Sequence, residues 1–363
     1  MKVTLFRDLP TEGWSSMERY ADELAAALLN LGCDARSFVI GRPLPRLGGT
    51  LGTLANYAWR STVYPLAARS RQRDINHIID HSYAHLIGAL DASRTVVTCH
   101  DIAPLELDQR GHGLSRRLWD RSFHAMLHAA HIIADSAHTR DAILRHADYP
   151  ADRIAIVPLA VDGTFFDAID ASDLDALRQR YQLAGRRVLL HVGSCQPRKN
   201  VEAIFEALAQ VHDLNAVLVQ IGGRFSTGQE QHIAHRGLAA RVTQIELVSE
   251  RELCVWYQAS DALVLPSIYE GFGLPVLEAM ASGTPVICSN ATSLPEVTGD
   301  TAILIDPQDP LTLAGAIRSV LSDTGLAADL RRRGLERSKS FTWDRTARET
   351  LAVYECVYSH FRS

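Results

Sequence analysis

Lysine is almost missing from this chain of 363 residues: Lys2, Lys199 and Lys339 are its three, and the other 34 of its 37 basic residues are arginine. A chain that makes nearly every cation an arginine has kept one lysine directly after Arg198, in its most phosphate-like stretch. Long apolar runs are lacking as well. None approaches the ~20 residues that a membrane-spanning helix needs, and Lys2 to Phe6 reads at once as a strand, so neither a leader nor a span is expected. The six cysteines, Cys33, Cys99, Cys195, Cys254, Cys288 and Cys356, form no C-x-x-C pair. Several fall in expected strands, which points to buried free thiols in a reducing cytoplasm rather than to a disulfide framework. A basic excess is absent too: the net charge of −5 argues against nucleic acid as a partner.

What is present is an ordinary globular composition, 47% hydrophobic and 22% charged, at a length that favours two domains. Short β-rich runs alternate with helical stretches: Arg36–Ile40, Ile75–Ile79, Thr95–Cys99, Ile132–Ala134 and Ile154–Val157, then Val188–Val192, Val217–Ile221 and Val242–Leu247. That alternation predicts α/β architecture with parallel sheets. Pro158–Asp167 reads as the linker between two such halves. A final helix is expected over Phe341–Phe361, with Trp343, Ala347, Leu351 and Tyr354 on one side.

The stretch Asp261–Ser289, DALVLPSIYEGFGLPVLEAMASGTPVICS, is the part most suited to chemistry. Ala262–Leu265 is a strand, Pro266–Leu274 a loop, and Pro275 can open a helix that Gly283 closes. Ligands of parallel sheets gather at the carboxyl ends of strands, where helix N-termini present N–H groups to anions. Gly271 and Gly273 allow close backbone approach, and a phosphate would sit at the amides of Gly273 and Leu274. Glu278, placed in the first turn of the helix, could accept hydrogen bonds from a ribose, or could be only a favourable charge near a helix N-terminus. In the second half, Arg198 and Lys199 stand where a loop meets the helix Asn200–Val211. Two cations there oppose the helix dipole unless an anion offsets them, which argues for a bound phosphate.

His100 and Asp101 follow the strand Thr95–Cys99, and His81 and Tyr83 follow Ile75–Ile79; strand-end positions make them candidates for lining a cleft. Two histidine sets, His124/His128/His131 and His77/His81/His85, have helix-like spacing. The first lacks the H-E-x-x-H glutamate and its third member starts a strand, and the second starts inside one, so no metal site is expected. Asp173 and Asp175 form a D-x-D on a helix rather than after an apolar strand, and are not read as ligands either. Gly223–Gly228 has the glycine spacing of a P-loop, but Gln229 stands where its lysine is required, so ATP hydrolysis is disfavoured.

The run from Glu270 to Glu278 resembles the E-x7-E signature of retaining nucleotide-sugar glycosyltransferases, and more narrowly family 4 of those enzymes. The resemblance implies a GT-B fold: two facing Rossmann-like domains with an interdomain cleft, and a C-terminal helix crossing back to the first domain. Expected boundaries are 1–162 for an acceptor-side domain, 163–340 for a nucleotide-sugar-binding domain, and 341–363 for the returning helix. It further implies Glu270 and His100 as catalytic residues beside the donor sugar, Arg198, Lys199, Gly273 and Leu274 on the donor diphosphate, and Glu278 on the ribose. Ser249 and Leu253, in the turn Val248–Leu253, would meet the base, and Gly13, His81 and Tyr83 would lie on the acceptor side. Some relatives carry an arginine directly after the loop glycine where this chain has Ser194, a departure that bears on donor binding. Similar enzymes are often mannosyl- or glucosyltransferases of surface polysaccharide assembly.

The expected substrate is therefore a nucleoside-diphosphate sugar, GDP-mannose first and a UDP-sugar next, with a glycan or lipid-linked acceptor and neither metal nor cofactor. The rivals are a nucleotide-sugar epimerase of the same architecture and a non-catalytic nucleotide-sugar-binding subunit. Last, Arg42–Arg73 holds six arginines and no acid, with Tyr57, Trp59 and Tyr64 among them. It predicts either weak contact with an anionic membrane from the cytoplasmic side or a helix with a solvated arginine face and buried aromatics. Pro65 is expected to interrupt any long amphipathic helix there.

Overall fold

The computed structural model describes residues 1–10, 15–41, 58–109 and 113–362. They fall into two compact units, Met1–Leu159 with Trp343–Ser363, and Ala160–Thr342. In the first, β1 (Lys2–Phe6), β2 (Asp34–Phe38), β3 (Ile75–Ile78), β4 (Thr95–Cys99), β5 (His131–Ala134) and β6 (Ile154–Ile156) form one sheet in the order β2-β1-β3-β4-β5-β6. Every pairing in it is parallel. A parallel sheet is covered on both faces, so its inner strands are short and apolar throughout; all residues of β3, β4 and β5 are buried. The edge strand β2 lies two residues before its expected place, because Lys2 pairs with Asp34 and the register runs from there. A shift of two leaves every side chain on the face it was expected to take.

The helix Ser15–Asn30 buries Tyr20, Ala21, Leu24 and Leu28 and has the C-terminal helix Trp343–Arg362 beside it. That C-terminal helix is tied into the first unit by polar as well as apolar contacts. Thr346 Oγ1 donates to the Pro158 carbonyl at 2.8 Å. Fully buried Tyr354 shares a 2.6 Å hydrogen bond with His77 Nδ1, and His77 Nε2 lies 2.8 Å from Thr98 Oγ1. Thr98 Oγ1 is 3.2 Å from the Tyr20 hydroxyl, so four buried side chains form one chain of hydrogen bonds. Burial pushes the His77 pKa down to about 3, with His100 contributing, so the ring is neutral.

The second unit repeats the plan with β7 (Arg187–Val192), β8 (Ala216–Ile221), β9 (Val242–Ile245), β10 (Ala262–Leu265), β11 (Val286–Ser289) and β12 (Ile303–Ile305). Their order is β12-β11-β10-β7-β8-β9, again all parallel. The helices Val201–Gln210 and Pro310–Ser322 cover one face, burying Ile204, Phe205, Leu208, Leu313, Ile317 and Val320. The chain winds outward from β7 through β8 to β9, then starts again on the other side of β7 with β10. In such sheets the crevice beyond the strand ends at that reversal is where ligands bind. The corresponding reversal in the first unit lies between β1 and β3.

Candidate active site

Beyond β7, the residues Pro197–Lys199 form a separate 3-10 turn, and Asn200 takes a left-handed conformation (φ 54°) before the helix Val201–Gln210 begins. The Asn200 amide holds this corner by donating to the carbonyls of Pro266 at 3.1 Å and Pro307 at 2.7 Å. Arg198 and Lys199 thus precede the helix instead of occupying its first turn. The Lys199 ammonium donates to Glu270 Oε1 at 2.6 Å, and the Ser267 hydroxyl donates to the same oxygen at 2.7 Å. Arg198 donates to the Tyr269 carbonyl at 3.3 Å, and its Nη1 stands 3.8 Å from Glu270 Oε2.

The two cations already have a partner, Glu270, so the dipole argument alone does not demand a phosphate. Two cations on one carboxylate nevertheless leave a surplus of one positive charge at the β7–β10 reversal. Burial by itself would raise the Glu270 pKa; the Lys199 ammonium, with Ser267 and Arg198, overrides it and holds the carboxyl below its ordinary range. Beneath, on β7, His191 is fully buried, and neither ring nitrogen has a partner among the described residues. Burial, then Lys199, pushes its pKa down to about 3. A neutral ring there adds no third cation.

The loop after β10 leads into the helix Leu274–Ala281, with Pro275 in its first turn. Gly273, the residue before it, has φ 108°, and a Cβ added there would lie 2.5 Å from Leu294 Cδ2. The positive φ favours glycine, and any larger residue would also have to push the Leu294 methyl aside. The loop is pinned by hydroxyls that sequence reasoning passed over. Thr292 Oγ1 accepts the Glu270 N–H at 3.0 Å. Ser293 Oγ lies 2.9 Å from the carbonyls of both Glu270 and Phe272, and Ser289 Oγ donates to the Ser267 carbonyl at 2.6 Å. Their signal was the hydroxyl-rich run Ser289-Asn290-Ala291-Thr292-Ser293 directly after an apolar strand.

Glu278 is the fifth residue of its helix, one residue deeper than expected, because the helix starts at Leu274 rather than at Pro275. It is buried and accepts a hydrogen bond from the Tyr257 hydroxyl at 2.8 Å. Its reading as a first-turn surface charge is thereby weakened, and Tyr257 joins the site as a residue no motif announced. Of the expected base contacts, Ser249 is exposed and caps the helix Glu250–Ala259, its Oγ accepting the Glu252 N–H at 3.2 Å, while Leu253 is half-buried one turn on. Gln229, in the lysine position of the P-loop-like spacing, is buried in a capping box with Ser226. Asp173 pairs with Arg251 at 3.1 Å.

In the first unit, His100 follows β4 as expected. Its Nδ1 lies 2.7 Å from Asp135 Oδ2, just past β5, and its Nε2 2.9 Å from the Ile79 carbonyl, just past β3. The edge of the Tyr20 ring meets it, centroids 5.0 Å apart. Burial would lower the His100 pKa; Asp135, then Asp80, outweigh it and push it up to about 9. His81 is nearly buried, with Nδ1 3.3 Å from Asp80 Oδ1 and its ring edge-on to Trp119. Tyr83 is a correction: its side chain has no exposed surface, its hydroxyl accepts the Leu9 N–H at 3.0 Å, and Arg60 stacks on its ring at 4.0 Å. It is core, not lining. Gly13 lies outside the described residues. The histidine face breaks as expected: the helix Leu114–Met126 ends before His128, and His131 is on β5.

In the arginine-rich segment, 42–57 lies outside the described residues. Pro65 does not interrupt the rest. It sits in the first turn of the helix Tyr64–Arg69, where its missing N–H is tolerated, and the wider turn Trp59–Val63 runs straight into that helix. Tyr64 is fully buried, its hydroxyl donating to the Arg7 carbonyl at 2.7 Å. Trp59 donates to the Gly41 carbonyl at 3.2 Å, Arg60 to that of Ser82 at 2.5 Å, and Arg73 pairs with Asp34 at 3.2 Å. Arg69, Arg71 and Leu66 remain exposed. No described helix is long and apolar enough to cross a membrane.

Two family models match the chain: Glycosyl transferases group 1 over residues 174–337, and Glycosyltransferase Family 4 over residues 17–164. The O-antigen chain mannosyltransferase B of Escherichia coli is 35% identical over 274 residues, 73% of this chain and 71% of that protein. The serotype-specific mannosyltransferase WbdA of the same organism is 28% identical over 284 residues, 73% of this chain but 34% of that longer protein. Among solved structures, sucrose-phosphate synthase from Thermosynechococcus elongatus superposes with a TM-score of 0.79 at 22% identity, covering 99% of this chain and 100% of that one. At that identity the likeness shows the fold, which is GT-B.

Proposed function

The chain belongs to glycosyltransferase family 4, within the group 1 glycosyl transferases, and from that premise we propose that it moves mannose from GDP-mannose to a glycan or lipid-linked acceptor, with retention at the anomeric carbon and without a metal ion. A UDP-sugar is the next candidate donor. The carrying observation is the group Arg198, Lys199, Glu270 and Gly273 at the reversal between β7 and β10, with its surplus positive charge. The mannosyltransferase relatives support the choice of sugar.

Arg198, Lys199 and the amides at Gly273 and Leu274 would receive the diphosphate and stabilise the charge that develops on it as it leaves, the term that usually contributes most. Preorganised donors of this kind do the work that a cation does elsewhere. Glu278, already oriented by Tyr257, would take the ribose, and Ser249 and Leu253 would flank the base. Glu270 is held by Lys199 and Ser267, which suits fixing a sugar hydroxyl better than attacking carbon. His100 would act as the catalytic histidine at the donor sugar. The epimerase and the silent binding subunit are not favoured: the relatives transfer sugars, and the diphosphate and ribose groups are complete.

Incubation with GDP-mannose and then UDP-glucose, each with and without a mannan-type acceptor, tests the reading. An α-linked product from GDP-mannose, formed in EDTA, is expected. Inversion of configuration, loss of activity in EDTA restored by Mg²⁺ or Mn²⁺, or isomerisation without acceptor would each remove the corresponding part. The site of action is proposed to be the cytoplasmic face of the membrane, held weakly through the segment 42–73.

A further inference from the structure

Histidine ring nitrogens are informative when both have partners, because the partners dictate where the protons are. His100 Nδ1 faces the Asp135 carboxylate at 2.7 Å and His100 Nε2 faces the Ile79 main-chain carbonyl at 2.9 Å. A carbonyl cannot donate, and an ionised carboxylate cannot either. With the Asp135 carboxyl ionised, two hydrogen bonds at these distances place a proton on each nitrogen, which is the imidazolium; burial raises the Asp135 pKa and the facing His100 works against that rise. The geometry is fixed from three strands: Ile79 follows β3, His100 follows β4, and Asp135 follows β5. Asp135 is 1% exposed, so water does little to screen it.

From this we infer that Asp135 is a positioning residue for glycosyl transfer, holding His100 as a doubly protonated ring of fixed orientation at the carboxyl edge of the first sheet. The inference rests on the proposed role of His100 at the donor sugar and adds to it a residue that no motif contains. It also changes what His100 can do. A ring with both N–H groups committed to the protein is neither a general base nor a hydrogen-bond acceptor; with Asp135 offsetting its charge, it offers polarised C–H edges to sugar oxygens.

The groups that face this ring agree. From the β3 side come the Asp80 carboxylate and the neutral imidazole of His77. Asp101 adjoins it in the chain and accepts the Ala103 N–H at 3.0 Å. From the helix Ser15–Asn30 comes Tyr20, whose phenol burial and Asp135 keep protonated. Carboxylates outnumber the one histidine, which is the condition for its charge to persist as pH rises.

Asp135→Asn separates charge from shape. The asparagine amide can donate to a bare Nδ1, so a neutral ring fits the same pocket with its remaining proton on Nε2. Labelling with ¹³C/¹⁵N-histidine, and assigning the His100 signal by its loss in His100→Gln, reads the ring directly. In the unmodified protein the ring should stay charged until the pH passes about 9; in Asp135→Asn, where burial is no longer offset by that carboxylate, it should lose its charge at a much lower pH. The alkaline fall of kcat should move down with it, while kcat at acid pH and the donor KM stay closer to their original values. Asp135→Glu should restore the high titration at least in part. A His100 ring that is neutral at physiological pH in the unmodified protein, or one that titrates alike in both proteins, would overturn the inference. An unmodified protein with the expected titration but no sugar transfer would instead overturn the proposed reaction and leave the dyad standing.

Discussion

The two sheets share one plan, six parallel strands with one reversal of winding, and differ in the residues that follow each strand. Past β1, β3, β4 and β5 stand Asp8, Asp80, Asp101 and Asp135, with His100 among them. Past β7 stand Arg198 and Lys199, answered by one carboxylate past β10. Parallel strands place whatever follows them at one edge; the sign of charge there is set by single residues at strand exits. In glycosyl transfer the leaving diphosphate gains negative charge while the sugar gains positive charge on the way to an oxocarbenium-like state. The cationic edge of the second unit suits a leaving diphosphate.

The sharpest way to break that comparison is to remove Lys199. Lys199→Ala leaves the Glu270 carboxylate buried without its closest partner, and breaking one side of a buried pair costs about 3–5 kcal/mol. Urea denaturation should show that loss. The double variant Lys199→Ala/Glu270→Gln should recover most of the stability and none of the activity. Recovery of activity as well would mean that the pair is structural and the diphosphate binds elsewhere.

Next come the residues with surplus capacity for a donor. Arg198→Ala removes a charge-assisted contact to the diphosphate, and Glu278→Ala one to the ribose, each worth about 1.5–3 kcal/mol, or about 10- to 150-fold in kcat/KM. Glu278→Ala should act mainly through donor KM, and Tyr257→Phe in the same direction but less. Titration calorimetry with GDP would expose the opposite result, unchanged affinity, which would reduce Glu278 to a packing role.

The first unit predicts smaller effects, and none on nucleotide affinity. Tyr354→Phe leaves His77 Nδ1 buried without its partner, at a cost of about 1–3 kcal/mol. GDP binding should not change; if it did, the edges would not be chemically separate. Stability should also depend on pH in a set direction. The His100 pKa is raised by folding, so its contribution is fully present below the unfolded value near 6.5 and is lost as pH rises through about 9. The melting temperature should fall across that window in the unmodified protein and much less in Asp135→Asn.

These contrasts also explain what the sequence could show. Strand–loop–helix patterning reached nearly every sheet element, because short apolar runs bounded by glycine, proline and charge have few alternatives in a parallel sheet. His100 stood out by its place after a strand, Lys199 by its place where a loop meets a helix, and Glu270 through the resemblance of the Glu270–Glu278 run. Their partners were not. Nothing in the linear chain says that Lys199 and Glu270 meet, since that depends on β10 returning to lie beside β7. Asp135 lies 35 residues from His100, and only the β4–β5 pairing brings them together. Tyr83 was misplaced for a related reason. Position after a strand says which edge a residue is near, and the turn that follows decides whether it faces out or into the core.

The smallest expected effect concerns the arginine-rich segment. Tyr64 is buried, Trp59 half-buried, and Arg60 and Arg73 are engaged within the first unit, so the described part of the segment behaves as a helix packed onto that unit. What it still presents is Arg69, Arg71 and Leu66, the last 72% exposed. Basic residues near an anionic leaflet contribute about 1 kcal/mol each, so two arginines give binding that is measurable only at low salt. Flotation with phosphatidylserine-containing vesicles should recover a minor fraction of the protein at low ionic strength and little at high. Arg69→Ser/Arg71→Ser should remove that fraction at a stability cost of no more than about 1 kcal/mol, because neither guanidinium makes an ion pair among the described residues and Arg71 loses only its place over the Phe38 ring at 5.3 Å. Retention of binding in this variant would move the contact to residues 42–57, and absence of binding by the unmodified protein would make the acceptor a soluble glycan.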